Sequence, residues 1–160
     1  MRRFVFAVAT VMGGVVGAAF LATGPAAARA DDNTTVCAAA RKTIETGGQG
    51  ILTDLHQASS QAAQGDNAAA DATVKALGPK FSALGTSLRQ VGDTASDPNL
   101  KSALSGLGAE FVHVGGSLTD VASLKNVDES QIDAQGQRVA KICRFAPGPS
   151  SNAPSAGATV

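Results

Sequence analysis

The chain has 160 residues, with 13 basic and 13 acidic side chains; 44% of it is hydrophobic but only 4% aromatic, all Phe, and neither Trp nor Tyr occurs. Balanced charge with scattered Lys and Arg counts against a nucleic-acid binder, which needs basic clusters to neutralise phosphates. The missing Trp and Tyr remove the side chains that most often anchor tight interfaces and stack on sugars, and with them the case for carbohydrate recognition.

Residues 1–30 read as an export signal. Arg2 and Arg3 precede an apolar stretch from Phe4 to about Thr23, and Ala28-Arg29-Ala30 before Asp31 is the small-x-small pattern that signal peptidases cut. Cleavage is expected after Ala30; the competing reading is a retained anchor, since Phe4 to Ala28 is long enough to span a bilayer. Arg2-Arg3 also admits the twin-arginine route. Cys37 stands well beyond the cleavage point, which argues against a lipoprotein. Loss of Arg2, Arg3 and Arg29 leaves ten basic residues (13 − 3) against 13 acidic, and no second apolar run follows, so the expected mature chain is acidic and has no membrane span.

Four helical segments follow in residues 31–145. The first is expected from about Thr35 to Gln64, with Cys37, Ala40, Ile44, Gly48, Ile51, Leu55, Ala58 and Ala62 on one face and Gly65 as its stop. Gly47, Gly48 and Gly50 fall within one turn and each weakens a helix by about 1 kcal/mol relative to alanine, so a break there competes with continuity. The second opens at Asp66 or Asn67, carries Val74, Leu77, Phe81, Leu84, Leu88 and Val91, and ends at Gly92-Asp93. Pro79 lies inside it; the stripe keeps its phase across the proline, which predicts one helix kinked near Gly78.

The third segment starts with Asp97 as N-cap and Pro98 in the first helical position, then presents Leu100, Leu104, Leu107, Phe111, Val114, Leu118 and Val121. The fourth is capped by Asp128, turns Ile132, Val139 and Ile142 inward, and stops before Pro147. Residues 146–160, rich in Pro, Gly, Ser and Ala, lack an apolar period and are expected to be a disordered tail.

The second and third segments are copies. Leu77, Gly78, Phe81, Gly85, Ser87, Leu88 and Val91 recur as Leu107, Gly108, Phe111, Gly115, Ser117, Leu118 and Val121 at one offset (107 − 77 = 30). Gly78, Gly85 and Gly92, and again Gly108 and Gly115, keep a seven-residue step beside the Leu/Phe stripe. Such glycines are expected where a neighbouring backbone approaches closely. Self-association through these faces is a further possibility.

Short links make neighbouring helices antiparallel, so the fold class is all-α: an up-down four-helix bundle. In that topology the two chain ends meet at one pole. Cys37 and Cys143 then come together, and in the oxidising compartment that export reaches they are expected to form a disulfide.

Catalytic chemistry is hard to assemble from this chain. A nucleophile needs a base and an orienting group, and the histidines are His56 and His113, both off the apolar stripes. Asp54, Glu110 and Asp120 read as solubilising carboxylates on helix surfaces. Two isolated cysteines without a clustered histidine do not make a zinc site.

With Cys-bracketed, Ala-rich helices behind an export signal, the chain resembles the small secreted helical proteins of high-GC actinobacteria, mostly uncharacterised. More distantly it is similar to the secreted haemophore-type proteins of mycobacteria, also helical and bracketed by two cysteines. That likeness implies haem carriage with tyrosine and histidine near the iron; without tyrosine, His56 and His113 are the candidate ligands here. The leading expectation is a non-enzymatic extracellular or cell-wall-associated helical bundle that acts through a surface or groove on an unknown protein or small apolar ligand. The alternative is a carrier holding an apolar small ligand or haem between helices.

Overall fold

The computed structural model describes residues 25–145, with side chains from Asp32 onward. Residues 1–24 of the expected export signal and the whole of the expected tail, 146–160, lie outside the described residues. Within them the chain forms four α-helices and no strand: α1 (Pro25–Ala63), α2 (Asn67–Asp93), α3 (Pro98–Ser117) and α4 (Glu129–Cys143), with a short 3-10 turn, Ser123–Asn126, before α4. The fold is the expected antiparallel helical bundle closed by one disulfide.

Three of the boundaries follow from capping chemistry. The Asp66 side chain accepts from the amide of Ala69 at 3.1 Å, Asp97 from that of Asn99 at 2.8 Å, and Asp128 from that of Ser130 at 3.0 Å. Each carboxylate satisfies an amide that the first helical turn leaves without a partner. Gly65, with φ +83°, occupies the left-handed conformation that ends α1.

Two boundaries differ from expectation. Helix α1 already includes Pro25, ten residues before Thr35, the Ala-rich run 26–30 favouring helix. The Ala30-Asp31 bond therefore lies inside a helix. Helix α3 stops at Ser117 rather than reaching Val121: Leu118 is extended, and a turn built on Asp120 and Ser123 follows, in which Asp120 accepts from the Ser123 amide at 2.7 Å.

Helix α1 also runs unbroken through Gly47 to Gly50. Gly48 is buried, and a Cβ on Gly47 would sit 2.8 Å from Leu84 Cδ1, so Gly47 forms part of the seat for α2. Packing offsets their low helix propensity. Helix α2 is likewise a single helix across Pro79. Pro79 and Lys75 are both exposed, so the carbonyl freed by the proline faces water and α2 continues.

The core is one cluster. Ala40, Ile44, Ile51, Leu55 and Ala58 of α1 meet Val74, Leu77, Phe81, Leu84 and Leu88 of α2 and Leu100, Leu104, Leu107, Phe111 and Val114 of α3. Among the described residues no polar or charged side chain belongs to it. Helix α4 contributes a single buried side chain, Val139, with Ile132 and Ile142 half-buried at its edge. The α2/α3 interface is the most extensive, followed by α1/α2; α4 rests on α3, and α1 and α4 scarcely touch.

The α2/α3 interface is set by glycine. A Cβ added to Gly78 would fall 2.7 Å from the Gly115 carbonyl oxygen, and one added to Gly115 would fall 2.5 Å from that of Gly78. Gly85 and Gly108 oppose each other in the same reciprocal way. Each hydrogen that a Cβ would replace points at the opposite carbonyl, an arrangement of paired Cα–H···O contacts. Backbone thus meets backbone, as the seven-residue step predicts. The same glycines are consumed within the chain, so they do not form a free face for self-association.

Candidate functional site

The expected pairing of chain ends is present: Cys37 and Cys143, 106 residues apart, are joined by a disulfide with their α-carbons 5.5 Å apart. Cys37 lies in the first half of α1 and is buried; Cys143 is the last residue of α4 and half-buried. Arg144 follows in the left-handed conformation, φ 52°, and the amides of Arg144 and Phe145 both donate to the Ala140 carbonyl. This closes α4 directly after the cysteine. Ser96 in the α2–α3 link donates to Asp32 at 3.3 Å, which places that link at the same pole as the disulfide.

The two histidines are not brought into the bundle. His56 on α1 and His113 on α3 are both exposed, each next to a stripe residue, Leu55 and Val114, that is buried. Neither lines the core between helices, where an enclosed haem would need its ligands. Among the described residues no group of three His, Cys, Asp or Glu side chains could hold a metal ion.

Two of the carboxylates noted beside the histidines, Asp54 and Asp120, have structural partners. Asp54 on α1 pairs with Lys80 on α2 at 2.6 Å. With the lysine side chain about half exposed, the pair is worth little, on the order of 0–1 kcal/mol. Asp120 caps the turn that starts the α3–α4 link. Glu110 is half-buried on α3.

A residue that pattern reading passes over holds that link in place: Asp71 on α2 accepts from the Val121 amide at 2.9 Å across 50 residues of sequence. A lone aspartate on the side of a helix carries no local signal of such a partner. Asp128, at the start of α4, has its carboxyl lowered from the ordinary value chiefly by the hydrogen bond from the Ser130 hydroxyl, with backbone donation from Ser130 and Gln131 adding to it.

Among the described residues no helix is long and apolar enough to cross a membrane. No protein-family model, curated protein or solved structure matches this chain.

Proposed function

We propose that the chain is an exported, non-enzymatic binding protein of the extracellular space or cell wall, acting on a protein partner through the outer surface of its helices. The observation that carries this reading is the disulfide between residues 106 apart. Such a bond forms and persists in oxidising compartments outside the cytosol. The export signal read from residues 1–30 agrees with it.

Support for a surface rather than an interior site comes from the packing. The space between α2 and α3 is closed by backbone contact at two glycine pairs, and the core is filled by Leu, Ile, Val, Phe and Ala side chains. Polar groups that would orient a ligand inside are lacking among the buried residues described.

Native mass spectrometry of the protein recovered from culture medium tests the proposal. The expected spectrum shows a chain beginning at Asp31, lighter by two hydrogens at its cysteines, with no small molecule bound. A co-purifying apolar ligand, or a haem with its Soret absorbance, replaces the proposal with the carrier reading. A chain recovered only inside the cell with both thiols free defeats the export assignment.

A further inference from the structure

The structure attaches α4 unequally. Helix α2 buries nine residues and α3 eight, whereas α4 buries only Val139. It lies on α3, where a Cβ on Gly106 would come within 2.9 Å of Gln135 Oε1, a contact with the end of a flexible polar side chain. Beyond the disulfide, α4 has almost no contact with α1. At 15 residues it is at the length where a helix without tertiary support is marginal in water.

The link before α4 is better anchored than the helix it leads to. Asp71 holds Val121, and Asp120 and Ser123 close the turn that follows. Val127 and Asp128 then form the short extended joint between this anchored turn and α4. A helix pinned by a covalent bond at its far end and jointed at its near end is free to swing once that bond opens.

We propose that α4 is a redox-latched flap: opening the Cys37–Cys143 bond releases α4 from α3 while α1, α2 and α3 remain packed. The chemistry is a two-electron exchange with a dithiol. One thiolate of the reductant attacks Sγ of Cys143, the less buried of the two cysteines, and Cys37 leaves as a thiolate and takes up a proton. The second thiol of the reductant then attacks its own sulfur in the mixed disulfide, releasing Cys143 as a thiol, and the reductant departs as its cyclic disulfide. The surface uncovered is the α3 strip that includes Gly106. This inference rests on the disulfide and the packing of α4, not on the binding role proposed above.

Hydrogen exchange of the full chain, oxidised and in dithiothreitol, tests the latch. Under reduction the amides from Ile132 to Ile142 are expected to lose at least about tenfold more protection than those from Leu77 to Leu88, the signature of a sub-global opening. Trypsin should then cut after Arg138 and Lys141 and leave the part from α1 to α3 resistant. The Cys37→Ser/Cys143→Ser variant should match the reduced protein without reductant. Equal loss of protection in α2 and α4, or α4 amides unchanged on reduction, overturns the proposal, as does unfolding of the reduced chain and the variant alike.

Discussion

Phe81 and Phe111, the same position in the two copies of the repeat, pack against each other with ring centroids 6.1 Å apart and planes tilted by 35°. The glycine contacts flank them symmetrically. Exchanging one copy for the other turns the Gly78–Gly115 contact into the Gly108–Gly85 contact, so α2 and α3 are related by a local two-fold axis that passes beside the two rings. A duplicated helix thus packs on its own copy, and self-complementarity along one face is sufficient to build the interface.

This geometry predicts opposite outcomes for glycines that look alike in sequence. Gly85→Ala or Gly108→Ala drives a methyl into a backbone carbonyl that cannot swing aside, and each is expected to cost about 3 kcal/mol, the upper part of the range for overpacking. Gly50→Ala adds a methyl where nothing lies within 4 Å and is expected to stabilise α1 by about 0.5–1 kcal/mol. Urea denaturation of the variants separates the two classes.

Two residues in the left-handed region make a second contrasting pair. Arg144→Gly relieves a side chain held at φ 52° and should raise stability by roughly 1 kcal/mol. Gly65→Ala, at φ +83°, should lower it by about the same amount. Thermal melts of the oxidised proteins provide the check.

Reducing the disulfide restores to the unfolded chain the freedom of a loop spanning 106 residues. The chain-entropy estimate for such a loop is about 4–5 kcal/mol, and the midpoint of urea unfolding should fall accordingly. A shift below about 1 kcal/mol would show that the unfolded chain keeps its ends together without the bond.

The start of α4 should respond to acid. Asp128 titrates below its usual 3.8 because the Ser130 hydroxyl and nearby amides donate to its carboxylate. Folded-state depression means that its contribution is fully present above the unfolded value and is lost as pH falls through the folded one. Helix α4 should therefore fray from Glu129 onward only in that acid range, and Asp128→Asn should remove the dependence. A carboxyl NMR titration that places Asp128 at or above 3.8 contradicts the assignment.

Much of this architecture was legible in residue order alone. The three-and-four spacing of apolar residues predicts the α2 and α3 core positions from Val74 to Val114 except Ala103, since only one side of a helix can gather them. Asp66, Asp97 and Asp128 announce helix starts because a short acceptor must sit where amides lack partners. The candidate site was legible to the same degree: Cys37 and Cys143 were marked as a pair, and His56 and His113 as surface residues, by their position relative to the stripes.

What the tertiary structure decided is the outcome wherever local preference and packing compete. Gly47 and Gly48 look like a break, yet α1 runs through them with Gly48 buried and Gly47 against Leu84 of α2, because packing outweighs a propensity deficit that acts residue by residue. Asp71 became the anchor of Val121 through a partner 50 residues away, for which residue order carries no signal. The weak hold on α4 was half visible beforehand: its stripe has only Ile132, Val139 and Ile142, with Gln135 and Gly136 in the gap, but burial also depends on what stands opposite, and only the assembled bundle shows that α1 does not.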